Sequence, residues 1–209
     1  MAPSNPIRIL IADDHAIVRH GLVALLEQEP DLSVVAQAGD GQQAVKMFCK
    51  HQPDVVLMDL RMPQMDGVVA IATICSQFPG AQIVVLTTYD GDEDIYRGLQ
   101  AGAKSYVLKD ADPDQLFAAI RTVFAGKKYI PPTVGAKLAE RIDNPQLSDR
   151  ELEVIRLIVA GHSNFHISRL LHISESTVKF HVNNILGKLG VSDRTQAAIA
   201  ALKRGIASL

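Results

Sequence analysis

The sequence predicts an α/β domain with a five-stranded, doubly wound parallel sheet, followed by an all-α domain of four short helices. Short apolar runs alternate with segments of helical period over the first 125 residues, and no strand-like run follows them. The length of 209 residues also suits two modest domains. We therefore expect one domain over residues 1–126, a linker over 127–146 and a second domain over 147–209.

Five apolar runs are the predicted strands of the first domain. They span residues 7–12, 32–38, 54–59, 82–88 and 105–110. Nearly continuous runs of Val, Ile and Leu are typical of strands buried on both faces of a parallel sheet. The helical segments between them supply the crossover connections that parallel neighbours need.

The second domain is predicted from helix-start signals. Ser148-Asp149-Arg150-Glu151 is a capping box, and the helix that it opens is expected to stop at Gly161. Three more helices are predicted: Asn164–Leu171, a segment capped by Ser174 that runs through Leu189, and roughly Arg194–Lys203. Four short helices with tight turns fit a helix-turn-helix module.

Composition narrows the class of protein. Apolar residues make up 47% of the chain and charged residues 21%, as in folded rather than disordered proteins. No apolar run approaches the roughly 20 residues of a bilayer-spanning helix, and the N-terminal sequence lacks a secretory pattern. We expect a soluble, cytoplasmic protein with no membrane partner. Cys49 and Cys75 are expected to be reduced packing thiols.

The charge of the chain is distributed unevenly. Residues 1–130 carry 11 Lys/Arg against 16 Asp/Glu, whereas residues 131–209 carry 10 against 7. A basic second part weakly indicates a polyanionic partner. Ordinary scatter of surface charge is the alternative explanation of so small an excess.

Side chains capable of chemistry follow four of the predicted strands. Asp13 and Asp14 come after the first strand, Asp59 ends the third, Thr87 the fourth and Lys109 the fifth. Ligands of open α/β sheets bind at this carboxyl edge. Three carboxylates brought together there would repel each other unless a hard cation such as Mg²⁺ lay among them.

The same set of side chains suits phosphoryl transfer, in which a protein mainly positions groups and neutralises charge. Asp59 would be the nucleophile that becomes an acyl phosphate. Asp13 and Asp14 would hold the metal ion, and Lys109 and Thr87 would each bind a phosphoryl oxygen.

The motifs IADD, LMDLRMPQMDG, VLTT and SYVLKD stand in the order and spacing of a known family. From Ile7 to about Ala125 the chain resembles the receiver domain of two-component response regulators, which has a flavodoxin-like fold. The resemblance implies that a sensor histidine kinase phosphorylates Asp59. Asp54 and Asp66 are weaker phosphoacceptor candidates, because one lies at the opposite end of the strand and the other in the following turn.

The resemblance also implies roles for further residues of this chain. The main-chain carbonyl of Arg61 would complete the metal site. Tyr106 would be an aromatic switch that moves with Thr87.

The third helix of the second domain carries the predicted DNA contacts. Its apolar residues, spaced at steps of four, three and four, form one stripe: Val178, Val182, Ile185 and Leu189. The predicted contacts lie off that stripe: Thr177, Lys179, Phe180, Asn183 and Lys188. Amides and lysines with little acidity suit a helix in the major groove. Phe180 either meets a thymine methyl or a sugar, or packs against the preceding helix.

From Leu147 to about Ile206 the chain resembles the LuxR-type helix-turn-helix of NarL/FixJ-class response regulators, and the receiver before it identifies that subfamily. One departure is visible. Where the family usually has Lys-Glu-Ile-Ala after Ser-Asn, this chain has Phe165-His166-Ile167-Ser168. The acid that would complete a capping box is therefore missing at position 166.

The sequence thus predicts a transcriptional regulator whose phosphorylation on Asp59 controls dimerisation and the binding of double-stranded DNA. Apart from its own phosphoryl transfer and autodephosphorylation it is not expected to be an enzyme, since residues 147–209 offer no nucleotide loop or nucleophile–base set. The alternative, a receiver that gates DNA binding through protein contacts without phosphorylation, is disfavoured by the intact acidic set. RNA binding is disfavoured because aromatic stacking platforms are missing.

The last predicted helix has a stripe of Ile199, Leu202 and Ile206. That stripe either joins two DNA-binding domains in a dimer or packs within its own domain.

Overall fold

The computed structural model describes residues 5–143 and 145–207. The outermost ends of the predicted domains, at 1–4 and 208–209, and residue 144 of the predicted linker lie outside the described residues. The chain divides into two compact units, Met1–Tyr89 with Ile95–Gly135 and Asp90–Asp94 with Ala136–Leu209. The linker boundaries at 127 and 146 stay predictions.

A parallel sheet forms the centre of the first unit. Its strands are β1 (Ile7–Ala12), β2 (Leu32–Ala38), β3 (Val55–Met58), β4 (Ile83–Thr87) and β5 (Ser105–Leu108). They are ordered β2-β1-β3-β4-β5, and every neighbouring pair is parallel. This is the flavodoxin-like order, with a switch point between β1 and β3. The predicted five-stranded, doubly wound sheet is confirmed.

Five helices connect and follow the strands: α1 (Ala16–Leu26), α2 (Gly41–His51), α3 (Gly67–Gln77), α4 (Asp92–Gln100) and α5 (Pro113–Phe124). Aspartates cap three of them, because the side chains of Asp40, Asp66 and Asp112 accept backbone N–H groups in the first turns of α2, α3 and α5. One face of the sheet packs on α1 and α5 through a core that includes Ile9, Leu57, Leu26 and Ile120.

Three predicted strands extend beyond the observed ones at their carboxyl ends. β3 ends at Met58, β4 at Thr87 and β5 at Leu108. Asp59 and Lys109 therefore lie in the loops that leave the sheet. Both loops start against the sheet, since the Asp59 N–H donates to the Ala12 carbonyl at 2.8 Å and the Lys109 N–H to the Thr87 carbonyl at 2.9 Å.

The remaining helices are α6 (Pro132–Asp143), α7 (Asp149–Val159), α8 (Asn164–Leu170), α9 (Glu175–Leu189) and α10 (Arg194–Lys203). The last four are the predicted all-α domain. Ser148 and Glu151 form the predicted capping box of α7, and Ser174 caps α9 through the N–H of Thr177. Their core includes Val154, Ile158, Ile167, Val178 and Ile185.

Helix α8 shows the effect of the departure at residues 165–168. The Ser163 side chain accepts the His166 N–H at 3.3 Å, so half of the capping box is present. The reciprocal acid is absent because His166 stands where the family has Glu. Among the described residues, no helix combines the length and apolar character needed to cross a membrane.

Candidate functional site

A cluster of acidic side chains lies at the carboxyl edge of the sheet. Asp13, Asp14, His15 and Asp59 each place one potential ligand atom so that all four atoms lie within 4.8 Å of one another. Asp13 and Asp59 are buried, whereas Asp14 and His15 are exposed. β1 and β3 are neighbours in the sheet, and so their ends bring these residues together.

Lys109 joins the two buried carboxylates of this cluster. Its Nζ lies 2.6 Å from an Asp13 oxygen and 2.5 Å from an Asp59 oxygen, and only 13% of its side chain is exposed. Burial acts to lower the pKa of Lys109, but the hydrogen bonds and charges of Asp13 and Asp59 outweigh burial and raise that pKa above its usual range. The ammonium group is therefore fully charged at neutral pH.

The second oxygen of Asp59 is also bound. It accepts the backbone N–H of Leu60 at 2.7 Å, which fixes the orientation of the carboxylate. Gly67 keeps the following loop close, because a Cβ at this position would collide with the Asp59 carbonyl oxygen. Its N–H donates to the Leu60 carbonyl at 2.7 Å. The Asp66-Gly67 turn thus packs directly against Asp59.

Thr87 and Tyr106 are both fully buried. The Thr87 hydroxyl accepts the N–H of Tyr89 at 3.4 Å, and the Tyr106 hydroxyl donates to the Tyr89 carbonyl at 2.6 Å. The guanidinium of Arg61 stacks 3.6 Å from the centre of the Tyr89 ring. Tyr89 therefore links the loop after Asp59 to both predicted switch residues.

His15 and Tyr89 are two residues that the sequence-based prediction missed. His15 directly follows the Asp13-Asp14 pair, and Tyr89 stands two residues after Thr87. Their position in loops at the same sheet edge is the signal that could have indicated them.

The donor set at this edge fits a hard divalent cation. Carboxylate oxygens are the preferred protein ligands of Mg²⁺, and the cation would offset the charge that Lys109 alone leaves on three carboxylates. Asp59 could then act as an oriented nucleophile toward a phosphoryl group.

Helix α9 of the second unit exposes most of the residues predicted to contact DNA. Val178 and Ile185 are buried, while Lys179, Phe180 and Asn183 are exposed. Phe180 is 61% exposed, which does not support the idea that it packs against the preceding helix. Thr177 is half-buried, and its hydroxyl lies 2.7 Å from that of Ser174.

Lys188, the fifth predicted contact, has an ionic partner within its own unit. Its Nζ lies 2.6 Å from the carboxylate of Glu151, of which only 5% of the side chain is exposed. Burial acts to raise the pKa of Glu151, but hydrogen bonds from Lys188 and from the Ser148 N–H hold the pKa below its usual range. The pair ties the start of α7 to the end of α9. A DNA contact by Lys188 stays a prediction.

Glu151→Gln is expected to lower the free energy of unfolding of the second unit by about 1–2 kcal/mol at pH 7, because it removes a charged hydrogen bond. Folding lowers the pKa of Glu151, so the ionised carboxylate stabilises the folded state. This stabilisation is complete above the unfolded pKa of Glu151, about 4.3, and is lost as the pH falls through the folded-state pKa. The difference between wild type and variant should therefore shrink in acid.

Urea unfolding of the full chain, followed through the NMR amide signals of α7 and α9, measures this difference. Glu153→Gln is the matched control, since Glu153 pairs with Arg150 at the surface. An equal loss in both variants, or a difference that grows in acid, would contradict the assigned role of Glu151.

Two family models match the chain, one on each part. Residues 9–121 match the response regulator receiver domain, and residues 145–201 match the luxR family of bacterial regulatory proteins. The transcriptional regulatory protein LiaR of Bacillus subtilis (strain 168) is 41% identical over 203 residues, which cover 93% of this chain and 96% of LiaR.

Solved structures agree with these matches. The response regulator ChrA of a heme-sensing two-component system is 37% identical, with a TM-score of 0.60 over 97% of this chain and 100% of ChrA. RcsB, in a structure of two dimers bound to two parallel DNAs, is 30% identical, with a TM-score of 0.72 over 95% of this chain and 99% of RcsB. The chain therefore belongs to the two-component response regulators of the NarL/FixJ class, DNA-binding transcription regulators that join a receiver domain to a LuxR-type helix-turn-helix.

Proposed function

We propose that this response regulator is phosphorylated on Asp59 by a sensor histidine kinase, and that phosphorylation controls its dimerisation and its binding to double-stranded DNA. The observation that carries the proposal is the Asp59 carboxylate, buried beside Asp13 and held at 2.5 Å by Lys109. A buried, oriented carboxylate with a cation at hydrogen-bond distance is suited to accept a phosphoryl group.

Several residues of this site would each have their own role in the phosphoryl transfer. Asp13, Asp14, Asp59 and the Arg61 carbonyl would hold Mg²⁺, which supplies positive charge to the phosphoryl oxygens when bound. An Asp59 oxygen forms the new P–O bond while the P–N bond of the kinase phosphohistidine breaks, and the electron pair of that bond stays on the imidazole. Lys109 then exchanges its contact with Asp59 for a phosphoryl oxygen.

The phosphoryl group would also act on the buried switch residues. It carries roughly 1.5 to 2 negative charges in place of the single charge of the Asp59 carboxylate, and the Thr87 hydroxyl can approach it as a donor. Movement of Thr87 disturbs the Tyr89 loop, because the Thr87 hydroxyl now accepts the Tyr89 N–H. Tyr106, which donates to the Tyr89 carbonyl, is the neighbouring side chain that would reorient.

Dimeric DNA binding is supported by the small positive charge of the DNA-binding part. An excess of three positive charges over residues 131–209 offers few contacts to phosphate, and a second copy doubles them. Two copies related by a twofold axis would place two α9 helices on an inverted repeat. Ile199 lies on α10 and is 48% exposed, whereas Ile206 follows that helix and is buried in its own core, so Ile199 is available to a second copy.

The proposal is tested by labelling the full chain from acetyl phosphate with Mg²⁺ present. Asp59→Asn should abolish base-labile incorporation and the gain in DNA affinity that follows it. Asp54→Asn is the matched control, because Asp54 accepts the Arg8 N–H at the opposite end of β3. Undiminished labelling of Asp59→Asn would move the phosphoacceptor elsewhere, and unchanged DNA affinity of labelled wild type would favour a receiver that works without phosphorylation.

A further inference from the structure

His15 is part of the acidic cluster, although the phosphoryl chemistry proposed above gives it no role. Its Nδ1 lies 2.7 Å from an Asp14 oxygen and 3.4 Å from an Asp13 oxygen. It occupies the N-cap position of α1, yet its side chain makes no capping hydrogen bond. The imidazole is thus directed to the carboxylates rather than to the helix end.

The backbone around His15 is held in place by the same cluster. The Asp13 carboxylate accepts the His15 N–H at 2.9 Å, and Arg19 donates to the Asp13 carbonyl at 2.5 Å. The Cα of His15 is therefore held in place. Because the imidazole ring is exposed, it can rotate and so change its position relative to the carboxylates.

The spacing of the four side chains suits a single ion. Their ligand atoms lie within 4.8 Å of one another. For bonds near 2.1 Å, ligands of an octahedral ion are about 4.2 Å apart when opposite and about 3.0 Å apart when adjacent, so the four donors would have to move closer together to surround it. In that arrangement the ion would replace the direct contact between His15 and Asp14.

A nitrogen donor changes which ion such a site prefers. Mg²⁺ favours oxygen ligands, whereas imidazole suits Zn²⁺ and other first-row transition metals. We propose that His15 is a direct ligand of the divalent cation at this site, and that it gives the site a higher affinity for Zn²⁺ and Mn²⁺ than three carboxylates alone would provide. This inference rests on the proposed metal site at Asp59.

The test uses the full chain loaded with Mn²⁺ alone and examined by electron spin echo envelope modulation. Wild type should show nitrogen modulation from a directly bound ¹⁴N, and His15→Phe should lose it. His20→Phe is the matched control, because His20 is also exposed and lies on α1. The ring of His15 is 67% exposed, so the substitution is not expected to unfold the domain.

Calorimetric titration of the same proteins provides a second measurement. His15→Phe should weaken Zn²⁺ binding by about tenfold or more, since loss of even an outer partner of a ligand costs roughly that much. Its affinity for Mg²⁺ should stay within about twofold, because a hard ion gains little from imidazole.

The outcomes separate this inference from the function on which it rests. If Mn²⁺ binds in a way that Asp59→Asn weakens, but wild type shows no nitrogen modulation, the cation site stands and the role of His15 is wrong. If Asp59→Asn leaves Mn²⁺ and Mg²⁺ binding unchanged, the proposed cation site itself is wrong, and this inference is overturned with it.

Discussion

Replacing Lys109 by alanine is expected to lower the free energy of unfolding of the receiver domain by about 3 kcal/mol at pH 7 without divalent cations, because it leaves two buried carboxylates unpaired. Asp13 and Asp59 both lose the ammonium that now lies within 2.6 Å of each. Mg²⁺ should restore much of the loss, since it can neutralise the same carboxylates. The variant should also bind Mg²⁺ more tightly than wild type, because a competing cation has been removed.

The pH range of this effect follows from the direction of the pKa shift. Folding raises the pKa of Lys109, so the charged ammonium group stabilises the folded state. This stabilisation is complete below the unfolded pKa of Lys109, about 10.4, and is lost only as the pH rises through the folded-state pKa. Urea unfolding with and without Mg²⁺, followed by tyrosine fluorescence, measures the change. Lys128→Ala is the control, since Lys128 is exposed. A loss that Mg²⁺ does not reduce would contradict this account of the acidic pocket.

The sequence could predict that the site residues come together at one edge of the sheet, because the carboxyl ends of parallel strands lie at the same edge. Asp13, Asp59, Thr87 and Lys109 follow four apolar runs, and the order of those runs in the sheet needed only the rules for crossover connections. The sequence was therefore enough to predict that these residues lie close together. That Lys109 pairs with both carboxylates was visible only in the structure.

Side chains on loops could not be predicted in the same way. The contacts of His15 and Tyr89 depend on loop paths and ring rotation, which no period of the sequence encodes. The stacking of Arg61 on Tyr89 joins two loops that are 28 residues apart along the chain. Such contacts arise only after the sheet has brought the loops together.

In helix α9, too, only part of the arrangement could be predicted from the sequence. The helical spacing of the apolar residues predicts that Lys188 lies off the buried stripe, and this is correct. The same spacing does not predict which carboxylate Lys188 pairs with. Glu151 lies 37 residues earlier and was predicted only as the acid of a capping box. Such acids are usually solvent-exposed, and so the burial of this one against α9 was not evident from the sequence.

Lys179→Ala combined with Asn183→Ala is expected to weaken binding of the phosphorylated protein to its operator by about thirtyfold or more if both side chains contact bases, given roughly 1–3 kcal/mol for each good base contact. Both residues lie on the exposed face of α9. The contact of Lys179 with Glu175 is long, at 3.8 Å, so Lys179 is available to DNA at little cost. If Lys179 contacts phosphate, its single substitution should reduce the salt slope by about 1 for all sequences. If it reads a base, the loss should fall mainly on one base pair.

Salt titrations of fluorescence-labelled operator duplexes measure both quantities, with Lys203→Ala on α10 as a charge-matched control. Wild-type affinity and salt slope in the double variant would show that another surface reads the DNA.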